Sequence, residues 1–423
     1  MATRLLPVFL ILAMACGGSE ESAPAADAAP SPAAAAASSG PATPDDLDQG
    51  LLVAISKFET GEDGKPLPKS ELLVLVRKDG RWQARAYEDP ASNVIHKAMV
   101  YTSPSGESAV LTLGGTAAAV KLWRKGDAGL APVETLWEAD FGGKFSRMRD
   151  AETADLDGDG ATDIAVGTHD QGVFAVIRPA ADGSWSVEEL DRKENTFIHE
   201  IEIGDLDGDG TPEIYATPSE PNRLDGTPQH GEVVRYVPAT GEGRVVVADL
   251  GMRHAKEILV DDVDGDGRDE LYVSIEAAEG GSLEIRRYDA GTDPRGGVSI
   301  ATLGDSMARF LSAGDVEGDG DKEMVLAAKD SGLWLLRPGT DPNGPFEVSL
   351  IDADSKGFEH AALLADLDGD GADELYVASD EDRELRRYVW SDGEFHRETI
   401  HSRSSPLPVL TWNLMPVPVD LVE

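Results

Sequence analysis

Residues 155–163 read DLDGDGATD, which places acids at positions 1, 3, 5 and 9 and glycines at positions 4 and 6. Four near-copies follow: DLDGDGTPE from Asp205, DVDGDGRDE from Asp262, DVEGDGDKE from Asp315 and DLDGDGADE from Asp366. The starts are 50, 57, 53 and 51 residues apart. A period near fifty marks a repeat architecture. Each period holds the same parts. An alternating apolar stretch such as IHEIEIG leads into the acids, and a second strand such as ELYVSI leaves them. A third (GEVVRYV) and a fourth (RVVVADL) complete the unit. Four short strands per period predict a blade of an all-β propeller.

A weaker copy lies upstream. VIHKAMVYTSPSGESAVLTLG has the strand–turn–strand shape, with Ser103 and Ser105 where acids are expected. Ahead of it stand only three strands, and LPVLTWNLMPVPV at the C-terminus has no blade of its own. Pairing the two ends supplies the missing first strand and removes an exposed sheet edge. The expected blades are 51–90 with 408–418, then 95–138, 146–190, 197–250, 253–304, 307–352 and 358–401. Six blades plus an N-terminal hairpin is the alternative count. The propeller is assigned to residues 49–420, with its acidic loops within 155–374.

Carboxylates packed this closely repel one another unless a cation sits among them. Alternate side chains of a tight loop point inward, the glycines permit its left-handed turns, and the position-7 carbonyl can join them. This hard-oxygen set suits Ca²⁺, whereas Mg²⁺ favours fewer protein ligands in strict octahedral geometry. An EF-hand shares the opening but needs a bidentate Glu at position 12. Here position 12 is Val166, Ala216, Val273, Leu326 and Val377. Strands are also expected on both sides instead of helices. An acidic turn without metal is the remaining alternative.

The combination resembles the FG-GAP/VCBS repeats, whose family includes the calcium-binding propeller of integrin α subunits. The resemblance covers 146–401 closely and 51–145 loosely. It implies about five structural Ca²⁺ ions, each in the loop between the first two strands of a blade. The ligands it implies are Asp155, Asp157, Asp159 and Asp163; Asp205, Asp207, Asp209 and Glu213; and Asp262, Asp264, Asp266 and Glu270. The last two sets are Asp315, Glu317, Asp319 and Glu323, and Asp366, Asp368, Asp370 and Glu374. Glu317 departs from the pattern, and its extra methylene should weaken that site. The Phe-Gly and Gly-Ala-Pro tags that name the family are mostly absent, so integrin-like recognition is not implied. At millimolar calcium and a Kd of about 0.1–1 mM, each site would add about 0.4–1.4 kcal/mol to folding.

The 423 residues carry a formal charge of −42 and a single cysteine, Cys16. The charge excludes nucleic acid as an expected partner. One cysteine excludes an internal disulfide. Residues 1–15 (MATRLLPVFLILAMA) read as a signal peptide, and LAMAC resembles a bacterial lipobox that would lipidate Cys16. Ala13 departs from the commonest form, and an ordinary signal with a chance cysteine is the alternative. Residues 16–48, rich in Ala, Ser and Pro, read as a disordered tether. The expectation is a lipoprotein held at the outer membrane or cell surface.

No HExxH, GxSxG or phosphate-loop motif is present, so no catalytic constellation is assigned. His199, His360, Arg149 and Arg309 each lie six residues before position 1 of their loops, with His254 eight before and His96 in the corresponding strand. These mark the starts of the innermost strands, at the channel end opposite the acidic loops. They form a candidate ring for an anionic ligand, a surface protein or glycan; alternatively they hydrogen-bond neighbouring blades. The long connections at 59–70 and 218–232 should border the same face. The expected function is a non-enzymatic binding, adhesion or scaffold module. A carbohydrate lyase or dehydratase using the channel mouth and an outer-membrane assembly subunit are the alternatives.

Overall fold

The computed structural model describes residues 43–61, 64–116, 118–142, 146–220, 228–278, 281–341, 343–404 and 407–423. The signal peptide, Cys16 and the tether as far as residue 42 lie outside the described residues.

Among the described residues, seven four-stranded antiparallel sheets close into a ring. The count of seven blades holds, and so does the closure. The first blade takes Val409–Pro418 as its innermost strand, followed by Gln49–Thr60, Pro66–Lys78 and Arg81–Tyr87. Gln49 pairs with Pro418 and Lys57 with Val409. Beyond the last strand, the short helix Val419–Val422 is tied back by the Val419 N–H, which donates to Asp48 O at 2.9 Å. The other blades span 95–138, 148–192, 197–249, 255–303, 308–352 and 362–402 in chain order. Their first strands lie against one another around the ring axis. Among the described residues no helix is long and apolar enough to cross a membrane.

Burial follows distance from the rim. The second strands Asp163–Thr168, Glu213–Ser219, Glu270–Ile275, Glu323–Ala328 and Glu374–Ser379 are buried along their whole length. Both faces of these strands meet a neighbouring sheet, which is why DIAVGT and ELYVSI lack clean alternation. Fourth strands such as Trp185–Arg192 are mostly exposed and carry the charges. The core is accordingly a series of inter-blade clusters, such as Leu156, Phe174, Ile201, Ile214 and Tyr236 between the third and fourth blades. Burial of such apolar surface contributes about 25 cal/mol per Å².

The stretch at 59–70 is mostly hairpin: Thr60 pairs with Pro66 and Lys57 with Lys69. It projects past the start of the innermost strand, on the face where the other inner strands begin.

Candidate functional sites

At the end of each inner strand of blades three to seven, the chain turns through an acidic loop into the buried second strand. Both loop glycines adopt positive φ throughout, as at Gly158 (79°) and Gly160 (86°). The position-1 carboxylate organises the turn. Asp155 Oδ1 accepts from the Gly158 N–H at 2.8 Å and Oδ2 from the Gly160 N–H at 2.9 Å. In the other four loops the position-1 Asp likewise accepts from the position-6 glycine, at 2.7, 2.9, 2.8 and 3.0 Å. Position 5 caps the N–H two residues on, as Asp159 does for Ala161 at 2.8 Å.

The carboxylates at positions 1, 3 and 5 converge in three loops, Asp155/Asp157/Asp159, Asp205/Asp207/Asp209 and Asp366/Asp368/Asp370, with ligand oxygens within 4.8 Å of one another. In a fourth loop Glu270 joins Asp262, Asp264 and Asp266. All five position-9 acids also hold the turn. Asp163, Glu213, Glu270, Glu323 and Glu374 each accept the N–H of position 2, at 3.2, 3.3, 3.3, 3.1 and 3.3 Å. Burial foremost pushes these carboxyls up, to about 6 at Asp163 and about 7 at Glu323 and Glu374. Asp315, Glu317, Asp319 and Glu323 do not form a converged set among the described residues. Glu317 is drawn outward to Arg337 Nη2 at 2.6 Å.

Arg337 belongs to a series that the acid pattern alone does not reveal. The third strand of every acidic blade sends an arginine to its loop. Arg178 lies 3.1 Å from Asp157, Arg235 2.6 Å from Glu213 and Arg287 2.8 Å from Asp264. Arg387 is 2.6 Å from both Asp368 and Glu374 and is nearly fully buried. Part of the charge compensation is thus covalently supplied. The signal was present as the recurrent Arg in VIRP, VVRYV and EIRRY.

Position 8 links loop to loop. Asp269 Oδ2 accepts the Asp205 N–H of the preceding loop at 2.7 Å, and Asp373 Oδ2 accepts the Asp315 N–H at 2.8 Å. Lys322 reaches Asp261, just ahead of Asp262, at 2.7 Å. In the first acidic loop, Thr162 O accepts from Tyr101 of the second blade at 2.9 Å. The acid-free loop of that blade closes as a turn, with the Gly106 N–H donating to Ser103 O at 2.8 Å.

At the opposite end, the ring arises from β-bulges. The inner strands skip a residue or two of register at 95–97, 148–150, 198–201, 255–257 and 308–311. The skipped residues are His96, Arg149, His199 with Glu200, Lys256, and Arg309 with Phe310. A bulge re-aims side chains that strict alternation would send elsewhere. Lys256 therefore takes the place in the fifth blade that His254 was expected to hold. It shares the six-residue offset of the others, and that signal was readable. His254 Nε2 instead lies 2.9 Å from Glu276. His360, at φ 58°, lies outside the ring: Nδ1 is 2.8 Å from Ala328 O of the sixth blade and Nε2 2.9 Å from Ser355 Oγ. These contacts are the inter-blade alternative, realised. His96 Nδ1 also contacts the next blade, at Met148 O (2.6 Å), while its ring lies edge-on to Trp412 at 4.8 Å.

The remaining groups converge on the axis. Glu359 Oε1 accepts from Arg309 at 2.6 Å, and its Oε2 lies 3.6 Å from Arg149 of the third blade. That pair crosses the channel. Arg309 also approaches Glu276 at 3.6 Å and lies 4.5 Å over Phe358. His169 stands 5.8 Å from His199, ring to ring. Burial foremost, then Lys256, Arg149, His169 and Arg309, hold His199 well below the ordinary 6.5. Neither ring nitrogen of His199 has a hydrogen-bond partner, although the residue is only 4% exposed.

One step along the same strands lies a layer of acids that went unremarked in the sequence. Lys97 lies 2.9 Å from Asp150 and also contacts Glu152. Asp150 accepts the Ile201 N–H of the next blade at 2.7 Å, and Glu257 accepts that of Leu311 at 2.8 Å. Burial first, and then neighbouring carboxylates, push Glu200, Glu202 and Glu257 well above the ordinary 4.5.

A ring of seven blades, with acidic loops at one end and a cationic layer at the other, defines a seven-bladed β-propeller. Residues 119–216 match the family model described as FG-GAP-like repeat. Solved structures share the ring at low identity. One is a Bacteroides fragilis protein provisionally described as a 6-phosphogluconolactonase: 14% identity, TM-score 0.51, covering 89% of this chain and 100% of that one. Another, from Lactobacillus plantarum, has 9% identity and a TM-score of 0.55, covering 88% of this chain and 99% of that one. These likenesses concern the fold alone. No curated protein shows a significant match.

Proposed function

We propose that the chain is a calcium-stapled, non-enzymatic binding module, held at a bacterial surface by a lipid on Cys16. The observation that carries the calcium reading is the convergence of carboxylates at positions 1, 3 and 5 in four loops, with oxygens within 4.8 Å. Hard oxygens in that number fit Ca²⁺. Asp155, Asp157 and Asp159 and their counterparts would hold the ion, with Glu270 adding a ligand in its loop. Bound there, calcium would supply the charge that the third-strand arginines leave uncompensated and fix the turn between two strands. Extracellular calcium varies little, so the role is constitutive.

Thermal unfolding in about 1 mM calcium and in chelator tests this. The midpoint should fall on chelation by several degrees and recover on adding calcium back. An unchanged midpoint would sink the staple. For the anchor, Cys16→Ser should move the chain from the membrane to the aqueous fraction. A hydrolytic reading has one support, the neutral His199 imidazole among Arg149, Arg309 and Lys256 at the channel end. Turnover of sugar lactones would favour it over binding alone.

A further inference from the structure

The cationic layer contains a group without a structural task. Most of its members are held by a partner. His96 contacts Met148 O, and Arg309 is tied to Glu359. His199 is 4% exposed and both its nitrogens are unmatched, which is costly for a buried polar group. On the adjacent blade, Arg149 Nε also lacks a hydrogen bond. A fold that needed only packing here would be more stable with an apolar side chain at 199.

The charges define what fits. Arg149, Lys256 and Arg309 face Glu276 and Glu359, so the layer carries one surplus positive charge; Arg147 and Asp170 beside His169 offset each other. A monoanion balances it. A neutral imidazole presents one N–H donor and one acceptor nitrogen. The ligand must therefore bring a hydroxyl as well as an anionic oxygen. Just along the strands, Glu200 and Glu202 are half-buried. Their carboxyls and that of Glu257 would exchange hydrogen bonds with further hydroxyls.

We propose that the channel beside His199 takes a small hydroxylated carboxylate. Its carboxylate lies against Arg149 and Lys256, and its hydroxyls are shared between His199 and the Glu200–Glu257 carboxyls. This rests on the binding-module reading and names the ligand class for it. It does not depend on the calcium loops, which chelation tests separately.

Titration calorimetry on the full chain with D-glycerate, propionate and glycerol decides it. Glycerate should bind saturably, at least tenfold tighter than propionate, which lacks hydroxyls, or glycerol, which lacks charge. His199→Phe should weaken glycerate at least tenfold without lowering the thermal midpoint of the free protein. If the phenyl ring prevents folding, His199→Ala gives the same reading. No saturable binding of glycerate, or equal affinity in the variant, overturns the site. Equal affinity for propionate overturns the assigned ligand class.

Discussion

Two positions that the acid pattern treats as spacers, the residue before position 1 and position 8, form matched pairs across neighbouring blades. Gly204 faces Asp269 and Gly314 faces Asp373, whereas Asp261 faces Lys322. At both positions the neighbouring blade leaves no room for a Cβ. A Cβ at 314 would lie 2.4 Å from Asp373 Oδ2 and 3.2 Å from Leu364 Cβ, and a Cβ at 204 would lie 2.2 Å from Val260 Cγ1. Gly314→Ala should cost about 1–3 kcal/mol, the usual range for forcing atoms into a packed site. Asp373→Ala beside it should recover part of that loss, because the carboxylate that clashes is gone. A double-mutant cycle by urea unfolding measures the coupling, expected at about 0.5 kcal/mol or more. Additive losses would mean that the two residues act independently.

At the scale of the strand, the bulge decides which side chains reach the axis. Arg149 and Asp150 are neighbours in sequence yet serve the cationic and acidic layers respectively. The acidic layer has a pH signature. Glu200 and Glu202 retain protons in the folded state at pH values where the unfolded chain, near the ordinary 4.5, has lost them. Folding therefore binds protons, and their contribution falls as pH rises above 4.5. The neutral histidines 96, 169 and 199 act oppositely, losing stability as pH falls below 6.5. The double variant Glu200→Gln, Glu202→Gln should gain stability over the parent near pH 8, with the gain shrinking toward pH 4.5. Denaturant midpoints across that range check it, and a pH-independent difference would contradict the assignment. The sequence showed the repeat, the strand order and the loop acids because each follows from spacing. It placed His96, Arg149, His199 and Arg309 at the starts of the inner strands, and the bulges that aim them were not legible in it. It did not show that His254 and His360 bond elsewhere, since that depends on Glu276, Ser355 and a left-handed φ at 360. Glu359 escaped notice because its partners, Arg149 and Arg309, are distant in sequence and meet only across the closed ring.

For the molecule as a whole, stability depends on closing the circle. The innermost strand of the first blade comes from residues 409–418, and it packs between the second and seventh blades. Removing residues 409–423 would expose Leu52, Val53 and Ala54, now fully buried, and leave Gln49–Thr60 as an open edge. The truncated chain should lose its single cooperative transition and aggregate, which calorimetry and light scattering would register. Retention of a wild-type transition would show that six complete blades suffice. The same closure imposes an order in time. A chain made or translocated from its N-terminus has the outer three strands of its first blade early, but the strand that completes them arrives almost last. The blades in between can form as they emerge, yet the axis, with its crossing Arg149–Glu359 pair, can be assembled only after residue 418 is free. Any step that must handle this protein unfolded therefore has until residues 409–418 emerge to do so.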